Sequence, residues 1–258
     1  MLDPNINNNP IEIVLLKRLT PLSLSSENYP QLEYSLSSTS FPEIISSNAR
    51  SSAVFPKLFI EPHNDVSVLY ADVVNYTYLT TQLDVQTLVE TIHDLFVKFD
   101  QASEAHNVLR IKFLGDCYYC VSGVPIKNAH HAKSCVDLGL RMIKDIREVR
   151  KRRNLDIDMR IGVHSGNIFS GVIGACKWQY DIWSKDVDIA NRLESTGEAG
   201  KVHISQQTLD LLNDEYDYSD GTQKAQKDEV LKKYGIKSYL ITPPRILVRQ
   251  EGLLVPYN

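Results

Sequence analysis

Between Leu109 and Ser122 the chain reads LRIKFLGDCYYCVS, two β-rich runs broken only by Gly115-Asp116. That break predicts a hairpin with a tight tip. An amphipathic segment stands on either side of it. Upstream, Leu88, Ile92, Leu95, Phe96 and Phe99 fall on one helical stripe. Downstream, Ala132, Cys135, Val136, Gly139, Ile143 and Ile146 face one way in a helix from about Ala129 to Arg152. A strand precedes the first helix, Val66 to Val73 (VSVLYADV). Another follows the second, where Ile157, Met159, Ile161 and Val163 alternate with Asp158, Arg160, Gly162 and His164. This alternation predicts a half-buried strand with its even-numbered residues outward. The order is β-α-β-β-α-β, the split βαβ or ferredoxin-like arrangement of an α+β fold. Additions follow the core. The glycines of HSGNIFSGVIG predict a second hairpin. Then come a short helix near Val187 to Glu194, a strand at Val202 to Ile204, a helix at Gln206 to Leu212 and a strand at Ser238 to Ile241.

Two aspartates stand where such a fold gathers ligands. Asp72 closes an apolar strand at its C-terminal edge, and Asp116 sits at the hairpin tip. If their strands are neighbours, the carboxylates converge, and with a backbone carbonyl they form a hard oxygen site suited to Mg²⁺ or Mn²⁺. The alternative is that both simply end strands or cap helices. Asn75, Tyr76 and Thr77 lie between strand and helix, as a phosphate-cradling turn or an ordinary helix cap. Arg160 is expected on the outward side of its strand, either clamping a polyphosphate or forming a surface ion pair. Cys117 and Cys120 form a C-x-x-C without the second ligand pair that zinc needs. His130 and His131 are expected as exposed residues opening a helix.

Composition excludes some partners. The net charge of −4 gives no global basic field, so nucleic acid is not an expected partner. Four scattered cysteines, Cys117, Cys120, Cys135 and Cys176, read as reduced thiols of an intracellular protein. No segment approaches the roughly 20 apolar residues of a membrane helix. Residues 1–53, rich in Asn, Ser and Pro, are expected as a disordered arm with one short helix near Ile11 to Leu19. The core is expected at 54–242 and a tail at 243–258.

Four segments, VSVLYADVVNYT, LRIKFLGDCYYCVSG, MRIGVHSGNIFSGVIG and KWQYDIWSKDVDIANRLE, resemble the class III adenylyl cyclase catalytic domain, in family order and spacing. Their details look like the first cytoplasmic catalytic domain of animal membrane-bound adenylyl cyclases. The resemblance implies ATP as substrate, cyclic AMP and pyrophosphate as products, and two Mg²⁺ or Mn²⁺ ions per active site. Asp72 and Asp116 would hold the metals with the Val73 carbonyl. The stretch through Val74, Asn75, Tyr76 and Thr77 would hold the triphosphate, Leu114 and Gly115 would line the nucleotide site, and Arg160 would contact phosphate.

The family's active site forms between two catalytic domains, so a second cyclase domain is an expected partner, with heterotrimeric G-protein subunits as further candidates. Lys112 and Asp181 match the family's adenine-reading pair. Asp188 and Arg192 match its transition-state Asn and Arg. Asp188 departs from the pattern, because a carboxylate there would face a triphosphate. A symmetric homodimer is therefore not expected. The family's membrane bundle and stalk are not part of this sequence, and a fragment or a short form both fit. Such a domain is expected at the cytoplasmic side of the plasma membrane. A non-catalytic dimerising module and a guanylyl cyclase are the alternatives.

Overall fold

The structure, a computed structural model, describes residues 59–174 and 178–243 and the backbone of two strands within 247–256. The expected arm, its helix and Cys176 lie outside the described residues. The chain opens with β1 (Phe59–Val74), α1 (Tyr76–Gln82) and α2 (Val85–Ala105), followed by the hairpin β2 (Leu109–Leu114) and β3 (Cys117–Ser122). Then come α3 (His131–Arg153), β4 (Asp158–Ile173), β5 (Gln179–Trp183) and α4 (Lys185–Thr196). The remainder is β6 (Lys201–Ser205), α5 (Gln206–Leu209), β7 (Tyr218–Asp220), α6 (Gln223–Lys227), α7 (Glu229–Lys233) and β8 (Ser238–Ile241). β9 (Leu247–Gln250) and β10 (Leu253–Pro256) pair with each other in the segment expected as a tail.

The sheet runs β2-β3-β1-β4-β6-β8-β7, with β5 also paired to β4. β1 is antiparallel to both β3 and β4, so those two run parallel with β1 between them. That is the split βαβ arrangement, and the expected βαββαβ core is present. Leu69, Ala71 and Val73 of β1 and Met159, Ile161 and Val163 of β4 turn one way. They meet Leu95 and Phe99 of α2 and Val136, Ile143 and Ile146 of α3, all buried. Val68 and Tyr70 turn the other way, against Val187 and Ala190 of α4. Residues 66–71 of β1 are therefore buried on both faces, which explains why the strand reads as a continuous apolar run.

α4 also corrects the expectation for β4. Gly162 and His164 are buried rather than outward, because this helix covers their face. His164 Nδ1 lies 2.8 Å from Ser205 Oγ, and Nε2 lies 3.3 Å from Asp186 Oδ1. The second hairpin also falls later than HSGNIFSGVIG suggested. β4 runs unbroken to Ile173, and its last residues, Phe169 to Ile173, pair with β5. The glycines there serve close approach: a Cβ on Gly171 would stand 2.3 Å from the Phe59 carbonyl oxygen.

His131 is likewise buried, its Nδ1 2.8 Å from Ser67 Oγ on β1, and not an exposed opener of α3. His203 of β6 donates Nδ1–H to the Leu193 carbonyl at 2.7 Å, and its Nε2 is buried without a partner. Burial holds both imidazoles below the usual histidine range. A lowered folded-state value means stability present above about pH 6.5 and lost as pH falls through the folded value. The buried carboxyls of Asp145 and Glu194 are raised by burial and act in the opposite sense. The test is therefore a difference. His203→Gln is expected to lose less stability than the parent between about pH 7.5 and 5.5, as read from urea midpoints. Equal losses in the two proteins would show that His203 does not contribute.

Candidate functional site

Asp72 lies near the end of β1, and its cross-strand partners are Cys117 on β3 and Arg160 on β4. Asp116 occupies the turn immediately before Cys117. Strand adjacency therefore brings the two aspartates together. Burial raises the Asp72 carboxyl above its ordinary value, the Asp116 charge raises it further, and Arg160 opposes both. Gly115 has φ of 68°, the left-handed conformation that lets the tip turn within two residues. Leu114 is exposed beside it.

Arg160 joins two carboxylates. Its Nη2 donates to Asp72 Oδ2 at 3.1 Å and its Nε to Glu194 Oε1 at 2.6 Å. Glu194 belongs to α4 and is buried, and its carboxyl is pushed up to about 7 by that burial, against the Arg160 charge. Sequence reasoning missed Glu194. A signal was available: it falls on the same helical stripe as Val187 and Ala190, and an acid on an apolar stripe needs a partner.

Past Asp72, Val73 is buried and pairs with Met159. Val74 pairs with Asp158. Asn75 is left-handed, with φ of 68°, and its Nδ2 donates to the Asp156 carbonyl at 3.1 Å. No side chain caps α1, so Tyr76 and Thr77 open that helix with their N–H groups unfilled by a capping side chain. Cys117 and Cys120 follow on β3, with Cys120 buried and its thiol turned toward the Leu69 carbonyl.

The second candidate set divides. Lys112 of β2 and Asp181 of β5 form an ion pair of 2.6 Å, the lysine partly exposed and the aspartate buried. Asp188 and Arg192 stand one turn apart on the exposed face of α4. Arg192 lines a cleft of about 450 Å³ with Ser195, Thr196, Lys224, Lys227 and Asp228.

With this geometry in view, the comparisons are consistent. A family model described as the adenylate and guanylate cyclase catalytic domain matches residues 58–243. The chain is 58% identical to adenylyl cyclase X E of Drosophila melanogaster over 183 residues, covering 70% of this chain and 16% of that protein. It is 38% identical to adenylate cyclase type 9 of Gallus gallus over 196 residues, 75% of this chain and 15% of that one. Among solved structures, the catalytic core of a rhodopsin-guanylyl cyclase with converted specificity, in complex with ATPαS, superposes with a TM-score of 0.64 at 26% identity. That match covers 72% of this chain and 98% of the other. The chain belongs to the class III nucleotide cyclase family, and it spans about a sixth of the length of the curated relatives it matches. Among the described residues no helix is long and apolar enough to cross a membrane.

Proposed function

We propose that this chain is one half of an adenylyl cyclase active site, with 54–242 as the catalytic unit, acting at the cytoplasmic side of the plasma membrane. The observation that carries the reading is the meeting of Asp72 and Asp116 at adjacent strand ends beside Arg160. Their fit to divalent metal rests on the same place. Two like charges sit together, half-buried, and among the described residues Arg160 is the one cation ion-paired to Asp72, so a hard cation would offset the remaining negative charge. Among the described residues no group of three acidic, His or Cys side chains is placed to hold a metal ion by itself. Phosphate oxygens of the substrate complete the coordination shell.

Asp72, Asp116 and the Val73 carbonyl would hold two Mg²⁺ or Mn²⁺ ions. When bound, these ions lower the pKa of the attacking hydroxyl and offset charge on the phosphates. The remaining work is positioning. Val74 and the turn through Asn75, Tyr76 and Thr77 receive the triphosphate, Leu114 and Gly115 wall the nucleotide, and Arg160 offers its guanidinium to phosphate oxygens. The ribose 3′ oxygen attacks the α-phosphorus, the bond to the bridging oxygen breaks, and pyrophosphate leaves.

The partner is a second cyclase catalytic domain. Ile60, Phe169 and Ile173 lie on one face where β1 and β4 run on together, and each is 42–52% exposed. An apolar face of that kind marks an interface. Asp188 on the exposed face of α4 supports a partner that brings its own transition-state groups. G-protein subunits are candidates for regulation. Lys112 and Asp181 support adenine as the base.

The test is cyclic nucleotide formation with Mn²⁺ and ATP or GTP, by the chain alone and mixed with a second-type domain. The mixture is expected to form cyclic AMP at least about tenfold faster than cyclic GMP, and the chain alone to be near background. A mixture that binds but forms neither product would favour a non-catalytic dimerising module. A preference for GTP would favour a guanylyl cyclase.

A further inference from the structure

Arg160 is the one cation ion-paired to Asp72 among the described residues, yet it does not close on that carboxylate with both arms. Nη2 reaches Asp72 Oδ2 at 3.1 Å, while Nε goes to Glu194 Oε1 at the shorter 2.6 Å. Glu194 is 7% exposed and cannot easily retreat. Its backbone rides directly on β4, where a Cβ added at Gly162 would stand 2.1 Å from Glu194 N and 2.5 Å from the Ala190 carbonyl oxygen. Arg160 and Gly162 share that face of the strand, two residues apart. The helix is thus seated on the strand beside the arginine that its glutamate holds.

A buried ion pair is a weak stabiliser compared with apolar packing, so its physical consequence here lies in geometry. A free guanidinium takes a carboxylate bidentately. Without Glu194, Arg160 would be free to place two nitrogens on Asp72, and that carboxylate would then be committed to the arginine.

We propose that Glu194 is a positioning residue for the nucleotide site: it holds Arg160 by Nε, keeps it from closing fully onto Asp72, and so leaves Asp72 available to metal and the outer guanidinium nitrogens available to phosphate. This rests on the roles given above to Asp72 and Arg160, and it adds a residue that touches neither metal nor nucleotide.

The experiment uses the chain paired with a second-type domain. Binding of Mn²⁺ with 3′-deoxy-ATP, which lacks the attacking hydroxyl, is measured by calorimetry, and KM and kcat for ATP are measured alongside. Glu194→Ala is expected to weaken analogue binding and raise KM about tenfold, as for loss of a hydrogen bond to a charged group. kcat falls less. Glu194→Gln keeps an acceptor for Nε and is expected to restore binding to within about threefold of the parent. In an Arg160→Ala background, Glu194→Ala is expected to add nothing.

The proposal is overturned if Glu194→Ala has equal effects in both backgrounds, or if it lowers only the melting temperature while KM and analogue binding stay put. Should the parent pair bind the analogue yet form no cyclic AMP, the cyclase reading falls while the binding comparison still decides the role of Glu194. A parent pair that binds no analogue overturns both.

Discussion

Replacing Asp72 by alanine is expected to lower cyclic AMP formation by the paired domains at least about 100-fold, because charge stabilisation in phosphoryl transfer is worth several kcal/mol and each 1.36 kcal/mol is tenfold. The fold is expected to survive the change. Asp72 is half-buried next to the like charge of Asp116, so its removal relieves a repulsion. Arg160 keeps Glu194 as a partner at 2.6 Å and is not left as an uncompensated charge. The melting temperature is therefore expected to stay level or rise, which separates a lost site from a lost fold. Asp72→Asn keeps the shape and removes the charge, and the same loss of activity is expected from it. Activity within tenfold of the parent in either variant would remove Asp72 from the metal site, and with it the observation on which the proposed function stands.

The parts of this site that were legible in the sequence are those fixed by local period. Asp72 ends an apolar run, Asp116 sits in a two-residue break, and the stripes of α2 and α3 repeat at helical spacing. What was not legible depends on a contact across the sheet. Residues 157–164 alternate as a half-exposed strand does, and nothing local reveals that α4 covers the even-numbered face. Gly162 and His164 were expected outward for that reason, and both are buried. The glycines of HSGNIFSGVIG misled in a related way. Glycine marks turns, but it also marks places where another backbone comes close, and in β4 the second use prevails. Arg160 shows the same limit. Its identity suggested phosphate or a surface ion pair, but the partner that fixes it, Glu194, lies 34 residues away and reaches it only because α4 docks on β4.

Gly162→Ala is the sharpest test of that docking. One methyl group at this position would lie 2.1 Å from Glu194 N and 2.7 Å from Glu194 Cα, inside contact distance of main chain and not of a flexible side-chain tip. No rotamer change relieves such an overlap, so α4 must lift from β4 and open the cluster of Val68, Tyr70, Val187 and Ala190 beneath it. A cost of about 3 kcal/mol is expected for overpacking of this kind, with a fall in melting temperature on the order of 10 °C for a domain of this size. Gly115→Ala is the control. A Cβ there meets nothing within 4 Å, and the cost is conformational alone, about 1 kcal/mol for a non-glycine residue at positive φ. The two variants add the same methyl group, so the gap between their unfolding midpoints, with the conformational cost at Gly115 added back, reports the helix contact. Equal midpoints would mean that α4 does not rest on Gly162. Gly162→Ala carries a catalytic consequence as well. Lifting α4 moves Glu194 away from Arg160, so Gly162→Ala is expected to raise KM for ATP even at temperatures where the protein stays folded. The part of that rise carried by Glu194 through Arg160 should vanish in an Arg160→Ala background.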